Sequence, residues 1–279
     1  MNRDDISRRH VLGGIGVAGL GVLGWTGLTL ADPISSSEPD VPDDDLDENG
    51  WVEMKDKENE TEKGAGALSV TIATNSLTYE HEQLKEELRA TRVESSTGHD
   101  RQITDYKSDA FSDPIRVFSA ARTDLSPNLD NLPGGIGRAE IMNIVEDQAK
   151  DEFKTEMEKA GLTNIEESNE DTLEVDTDDE ATLFEFTAVY PFDGVDVDVN
   201  DNTISLPSKN IEVLGHMAMW HHDDYILVAG GVHPNENYQE SKTKEDAGRY
   251  GRDVTVSVDL GLEPETYEEE TLDLVEQVE

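Results

Sequence analysis

Two histidines, His216 and His233, bracket the stretch GHMAMWHHDDYILVAGGVHP. Two imidazoles held close together can bind a divalent transition metal. The stretch reads as a β-hairpin turning at Asp223-Asp224. That register sets Trp220 opposite Leu227, Ala218 opposite Ala229 and Leu214 opposite His233. Alternation along strands then puts Met217, Met219, Ile226, Val228 and Val232 on the core face. The other face carries His216, Trp220, His222, Tyr225, Leu227 and His233. On it His216 and His233 are diagonal neighbours, roughly 7–8 Å apart at Cα. A catalytic zinc usually takes three protein ligands and a structural one four, but the pattern names only two. The first expectation is therefore a wet sheet face with partly exposed polar residues. The alternative is a metal-binding protein or metal-dependent hydrolase using His216 and His233.

Other chemistry is thinly supported. In DVDVNDN, Asp196, Asp198 and Asn200 hold the first three ligand places of a calcium loop. Asp201 stands where that loop needs glycine, and Pro207 where it needs a bidentate glutamate. The run Gly134-Gly135-Ile136-Gly137 precedes a helix but no Lys-Ser/Thr pair follows, so it reads as a turn rather than a phosphate cradle. There is no H-E-x-x-H, G-x-S-x-G or dinucleotide fingerprint. No catalytic residue is assigned, and no cofactor beyond the metal of the alternative. The pattern favours a binding or structural domain over an enzyme.

The elements around the hairpin follow from apolar periodicity. ALSVTIAT (67–74) and IRVFSAAR (115–122) read as strands, and between them YEHEQLKEELRATRV, with Leu77, Leu84, Leu88 and Val93 near helical spacing, reads as a helix. The clearest helix carries Ile141, Ile144, Val145, Ala149, Phe153, Met157 and Ala160 on one face, with Gly161 as its stop. Strand-like segments follow: TLEVD (172–176), TLFEFTAVY (182–190), VDVDVNDN as a half-buried edge strand, the hairpin, and RDVTVSVDLGL (252–262). A last helix starts at Pro264 and lines up Tyr267, Thr271, Leu274, Val275 and Val278. The expected class is α+β: an antiparallel sheet with helices packed mainly on one face.

Composition constrains the setting. The chain has 279 residues, 64 acidic against 22 basic, and a formal charge of −42. Acid spread over all elements repels itself at low ionic strength, whereas molar salt shortens the Debye length to about 3 Å. A folded protein of this kind suits very salty water, which points to a halophilic archaeal source. No basic patch offers itself to nucleic acid. With no cysteine, disulfides, thiolate chemistry and thioether-linked lipid are excluded.

The N-terminus reads as an address label. MNRDDISRRH precedes an apolar stretch, Val11 to Leu30, that holds seven glycines in 20 residues. Arginines stay on the cytoplasmic side, and the stretch is just long enough to span a bilayer. Small residues Thr29 and Ala31 allow cleavage after Ala31. If it is not cleaved, the stretch is an anchor and the chain's sole membrane contact. The expected layout is a signal or anchor over 1–31, a disordered acidic linker over 32–66, and one α+β domain over 67–279. Asn59 heads the only N-x-S/T triplet, a glycan acceptor in an exported protein.

SRRHVLGG resembles the twin-arginine translocation signal, with Ser7, Arg8, Arg9, Val11 and Leu12 in its places. Together with the acidic linker, the long helix and WHHDDYILVAGGVHP, it is similar to a family of uncharacterised haloarchaeal exported proteins. His222, Asp223, Tyr225, Gly231 and Pro234 match that family's hairpin. The resemblance implies the twin-arginine translocase as partner during export and a place outside the cytoplasmic membrane, at the cell surface or in the medium. Many such proteins carry a lipid-bearing cysteine after the apolar stretch; this chain has none, so a lipid tether is not implied.

Overall fold

The computed structural model describes residues 35–65, 68–89, 92–97, 100–105, 115–126, 137–199, 202–246 and 253–279. Arg8, Arg9, Val11, Leu12 and Ala31, which carry the export and cleavage readings, lie outside the described residues. So does the Gly134–Ile136 part of the glycine run.

Among the described residues the class is α+β and its centre is an antiparallel sheet. Seven strands lie in the order β1 (Trp51–Ala65), β2 (Leu68–His81), β5 (Val117–Ser126), β11 (Tyr225–Pro234), β10 (Lys209–His222), β7 (Glu180–Phe192) and β6 (Thr163–Glu174). The hairpin β10–β11 occupies the interior, where each strand is paired on both sides. Its register agrees with the sequence reading: Trp220 faces Leu227, Ala218 faces Ala229 and Leu214 faces His233. Asp223 takes a left-handed backbone (φ 50°) at the turn, a conformation that aspartate tolerates better than most residues.

One face is dry. On it Met217, Met219, Ile226, Val228, Phe184 and Phe186 join one buried apolar cluster with Ile141, Val145, Ala149, Phe153 and Met157 of α3 (Gly137–Lys159). These five helix residues recur every four positions, so a single stripe meets the sheet. Gly161 ends the helix at φ 84°. Leu84 and Leu88 of α2 (Glu82–Arg89) enter the same cluster, as do Val254, Val256 and Val258 of β13 (Val254–Asp259). The latter belong to a second sheet, ordered β12 (Gln239–Lys244), β13, β3 (Arg92–Thr97), β4 (Asp100–Asp105). VDVDVNDN is not one edge strand but the start of a two-stranded hairpin, β8 (Val195–Val199) with β9 (Asn202–Leu206). It buries Val195, Val197, Ile204 and Leu206.

The expected gathering of helix on one face holds for α3 and α2. The opposite face is covered as well, by α4 (Pro264–Glu276) and α1 (Asp43–Glu48). Leu274, Val275 and Val278 pack with Phe118, Ala120, Trp220 and Leu227 there. Gly231 permits the close approach of α4: a Cβ at that position would stand 2.9 Å from Thr271 Cγ2 and 2.7 Å from the Val117 carbonyl oxygen.

The reading of 32–66 as a disordered linker is corrected where these residues are described. Residues 51–65 form edge strand β1, paired along its length with β2. Val41, Leu46 and Trp51 are buried in the second cluster. Ser36 Oγ donates to Asp124 Oδ2 at 2.6 Å and to the Arg122 carbonyl at 3.0 Å. Asp40 and Glu279 exchange backbone hydrogen bonds at 2.7 and 2.9 Å. An edge strand needs a ladder on one side only, and three isolated plugs need no periodicity. Apolar spacing could therefore not reveal this segment. Asn59 lies on β1, opposite Thr74.

Candidate functional site

His216 and His233 meet as the hairpin register requires. Their rings lie nearly parallel, with centroids 5.5 Å apart and 13° between planes. The surrounding face is not wet, however. His216 is 2 % exposed and His233 0 %, because α4 closes over them. The alternation was read correctly, but a cover supplied by a helix some 30 residues further along could not be inferred from it.

The pair belongs to a row of polar and aromatic side chains crossing the sheet. Trp51 is paired with His81 in the β1–β2 ladder. The His81 amide donates to the Arg116 carbonyl at 3.2 Å. Arg116 stands one step beyond the last β5–β11 ladder pair, Val117 and Val232, and so comes level with His233. His216 follows on β10 and Glu185, its ladder partner, on β7. The row thus runs Trp51, His81, Arg116, His233, His216, Glu185.

Helix α4 lies along this row. Arg116, 2 % exposed, donates from Nη2 to Glu270 Oε2 at 2.5 Å. Its guanidinium sits 4.8 Å from the Trp51 ring and 4.7 Å from the Tyr267 ring. A cation flanked by two aromatic rings and a carboxylate retains much of what it loses in leaving water. Burial lowers the Arg116 pKa and the Glu270 hydrogen bond opposes that shift; an arginine starts so high, above about 12, that it stays charged. Glu268 Oε1 and Glu185 Oε2 lie 3.8 and 3.9 Å from His216 Nε2, too far for hydrogen bonds.

The histidines themselves are held neutral. Burial pushes His233 down to about 4, helped by His216 and Arg116 and opposed by the bond between its Nδ1 and the Pro234 carbonyl. Burial first, then Arg116, pushes His81 down to about 4. Burial lowers His216 against the pull of Glu268 and Glu185. Among the described residues, His216 Nδ1 and His233 Nε2 are buried without a hydrogen-bond partner.

Of the sequence-based candidates, His216 and His233 are therefore brought together, while His222 is drawn elsewhere. His222 Nδ1 bonds to Asp179 Oδ2 at 2.6 Å near the hairpin turn. Among the described residues no group of three or more His, Asp or Glu side chains is placed to hold a metal ion. The sequence reading missed His81, Arg116, Glu185, Glu268 and Glu270. Arg116, a charge inside the apolar run IRVF, was the available signal. Among the described residues no helix is long and apolar enough to cross a membrane.

Fold and site together define an α+β domain whose central sheet is dry on one face and carries a helix-covered histidine–arginine row on the other. The chain belongs to the family described as Domain of unknown function (DUF6517), whose sequence profile matches residues 38–279. No curated protein and no solved structure matches the chain significantly.

Proposed function

We propose that this chain is exported across the cytoplasmic membrane and works at the cell surface or in the medium as a salt-adapted binding or structural domain. One observation carries the reading: Arg8 and Arg9 stand just before the glycine-rich apolar stretch 11–30, with only His10 between, and the family match begins only at residue 38. A domain that begins after the apolar stretch supports an address label kept apart from the fold. The formal charge of −42 supports work in concentrated salt, where like charges on the surface are screened.

The test is fractionation of a salt-loving archaeal host carrying the chain with a C-terminal tag. The wild type is expected in the envelope or medium fraction, and the R8K/R9K variant in the cytoplasm. Wild-type protein confined to the cytoplasm would overturn the proposal. Mass spectrometry of the exported form should find a first residue of Asp32; a peptide beginning at Met1 or Asn2 would instead make the stretch an anchor.

A further inference from the structure

The polar row and the N-terminal half of α4 form one unit, and the unit is loaded with titratable groups. His81, His216 and His233 project from β2, β10 and β11 on the same face of the sheet, and Arg116 stands among them from the residue just before β5. Facing them are Tyr267, Glu268 and Glu270 from α4, Glu185 from β7, and Glu87 from α2, which acts on His81. The carboxylates sit at the rim: the Glu185, Glu268 and Glu270 side chains are 32 %, 43 % and 34 % exposed, so water screens them. His216 and His233 are inside and His81 is half-buried, its Nδ1 accepting from the Leu84 amide at 3.1 Å, and the Arg116 cation acts on His81 and His233. The far half of α4 is anchored differently, by Leu274 and Val275, with Val278 just beyond the helix end in the same cluster.

We propose that the N-terminal half of α4 is an acid-sensitive cover, released from the sheet when the histidine row takes up protons. The proposal concerns the fold alone and does not rest on export. Its direction follows from linkage. The closed form holds the three histidines neutral, with His81 and His233 titrating only near 4. An opened form exposes them to water, where imidazole titrates near 6.5. The open form therefore binds more protons between those values. The closed form is fully favoured above about pH 6.5 and loses ground as the pH falls toward 4. Protonation of the row would set new cations beside Arg116, whereas the opposing carboxylates are largely spent on water and on Arg116 itself. The acidic surface pushes the other way: neutralising some of its carboxylates relieves repulsion and tightens the whole fold. A local loosening is thus distinguishable from a general pH effect.

The test is amide hydrogen exchange on the full chain in molar potassium chloride, from pH 7.5 to 5 and corrected for intrinsic rates. Amides of residues 268–272 are expected to lose protection on the order of tenfold or more between pH 7 and 5, while those of 145–157 in α3 do not. The H216Q/H233Q variant should flatten that dependence. Histidine ring NMR of the wild type provides a second reading that needs no variant: His216 and His233 should titrate together with the loss of α4 protection. Protection of α4 that stays constant, or falls in step with α3, overturns the proposal. So does an H216Q/H233Q variant that keeps the wild-type dependence, or histidines that titrate near 6.5 with α4 still protected.

Discussion

The two faces of the central sheet are built on different principles. On the α3 face, Phe153 packs on Phe186 at 5.2 Å between ring centroids and the neighbours are almost all apolar. Closure there depends on burial of hydrocarbon, which has no pH dependence and is not screened by salt. On the α4 face, Leu274 and Val275 meet apolar partners, whereas the N-terminal part of the helix lies over the row from Trp51 to Glu185. Closure of that half depends on one cation being paired and three imidazoles being neutral. One face therefore answers mainly to volume, and the other answers also to charge. A cover that depends on protonation states is a cover whose stability can be adjusted by its surroundings; a dry core offers no such handle.

The largest expected effect breaks the dry face. Phe153→Ala removes a fully buried ring and should cost about 3–5 kcal/mol in denaturant unfolding at high salt, with no change in the pH profile. Leu46→Ala tests whether the acidic N-terminal segment truly belongs to the second face. Leu46 is 1 % exposed, so a loss of about 2–3 kcal/mol is expected, whereas a linker residue would cost almost nothing. Glu270→Ala strips Arg116 of its carboxylate. Loss of a buried pair's partner is severe, but Glu270 is a third exposed, so about 2 kcal/mol is expected. Arg116→Met, which removes the charge and keeps the volume, should cost less than Glu270→Ala when both are unfolded by urea; the reverse ranking would mean that the row does not behave as a desolvated ion pair. The smallest effect lies where the edge of α3 meets β6 and β7. Lys150 pairs with Glu146 and Glu167 and stands over the Phe184 ring at 3.7 Å. Lys150→Ala should shift stability by only about 0.5–1 kcal/mol, and less in molar salt than in dilute buffer.

These two faces also differ in how far they were legible beforehand. The stripe from Ile141 to Met157 repeats every four residues within one helix, and the hairpin register follows from a two-residue turn. Both are local, so periodicity reveals them. The C-terminal helix was legible too: of the face read from Tyr267 to Val278, Thr271, Leu274 and Val275 are buried, Tyr267 is partly buried, and Val278 is buried just past the helix end. What lay beneath that face was not. His81 and Glu185 sit on strands, and Arg116 just before one, whose order across the sheet departs from their order in the chain. Nothing in a one-dimensional pattern sets them in line. The acidic segment 51–65 failed for another reason: its strand is held by backbone pairing to β2, and backbone hydrogen bonds leave no mark on side-chain composition.

The sequence by itself determined the α+β class, the long helix and its buried stripe, the hairpin and its register, and the proximity of His216 to His233. Each of these depends on residues close in the chain or on the fixed geometry of one turn. Only the tertiary structure decided that the histidine face is closed rather than wet, that Arg116 joins it, and that α4 is the cover. Those outcomes depend on strand order and on a helix docking from the far end of the chain, and burial, unlike periodicity, is a property of the whole fold.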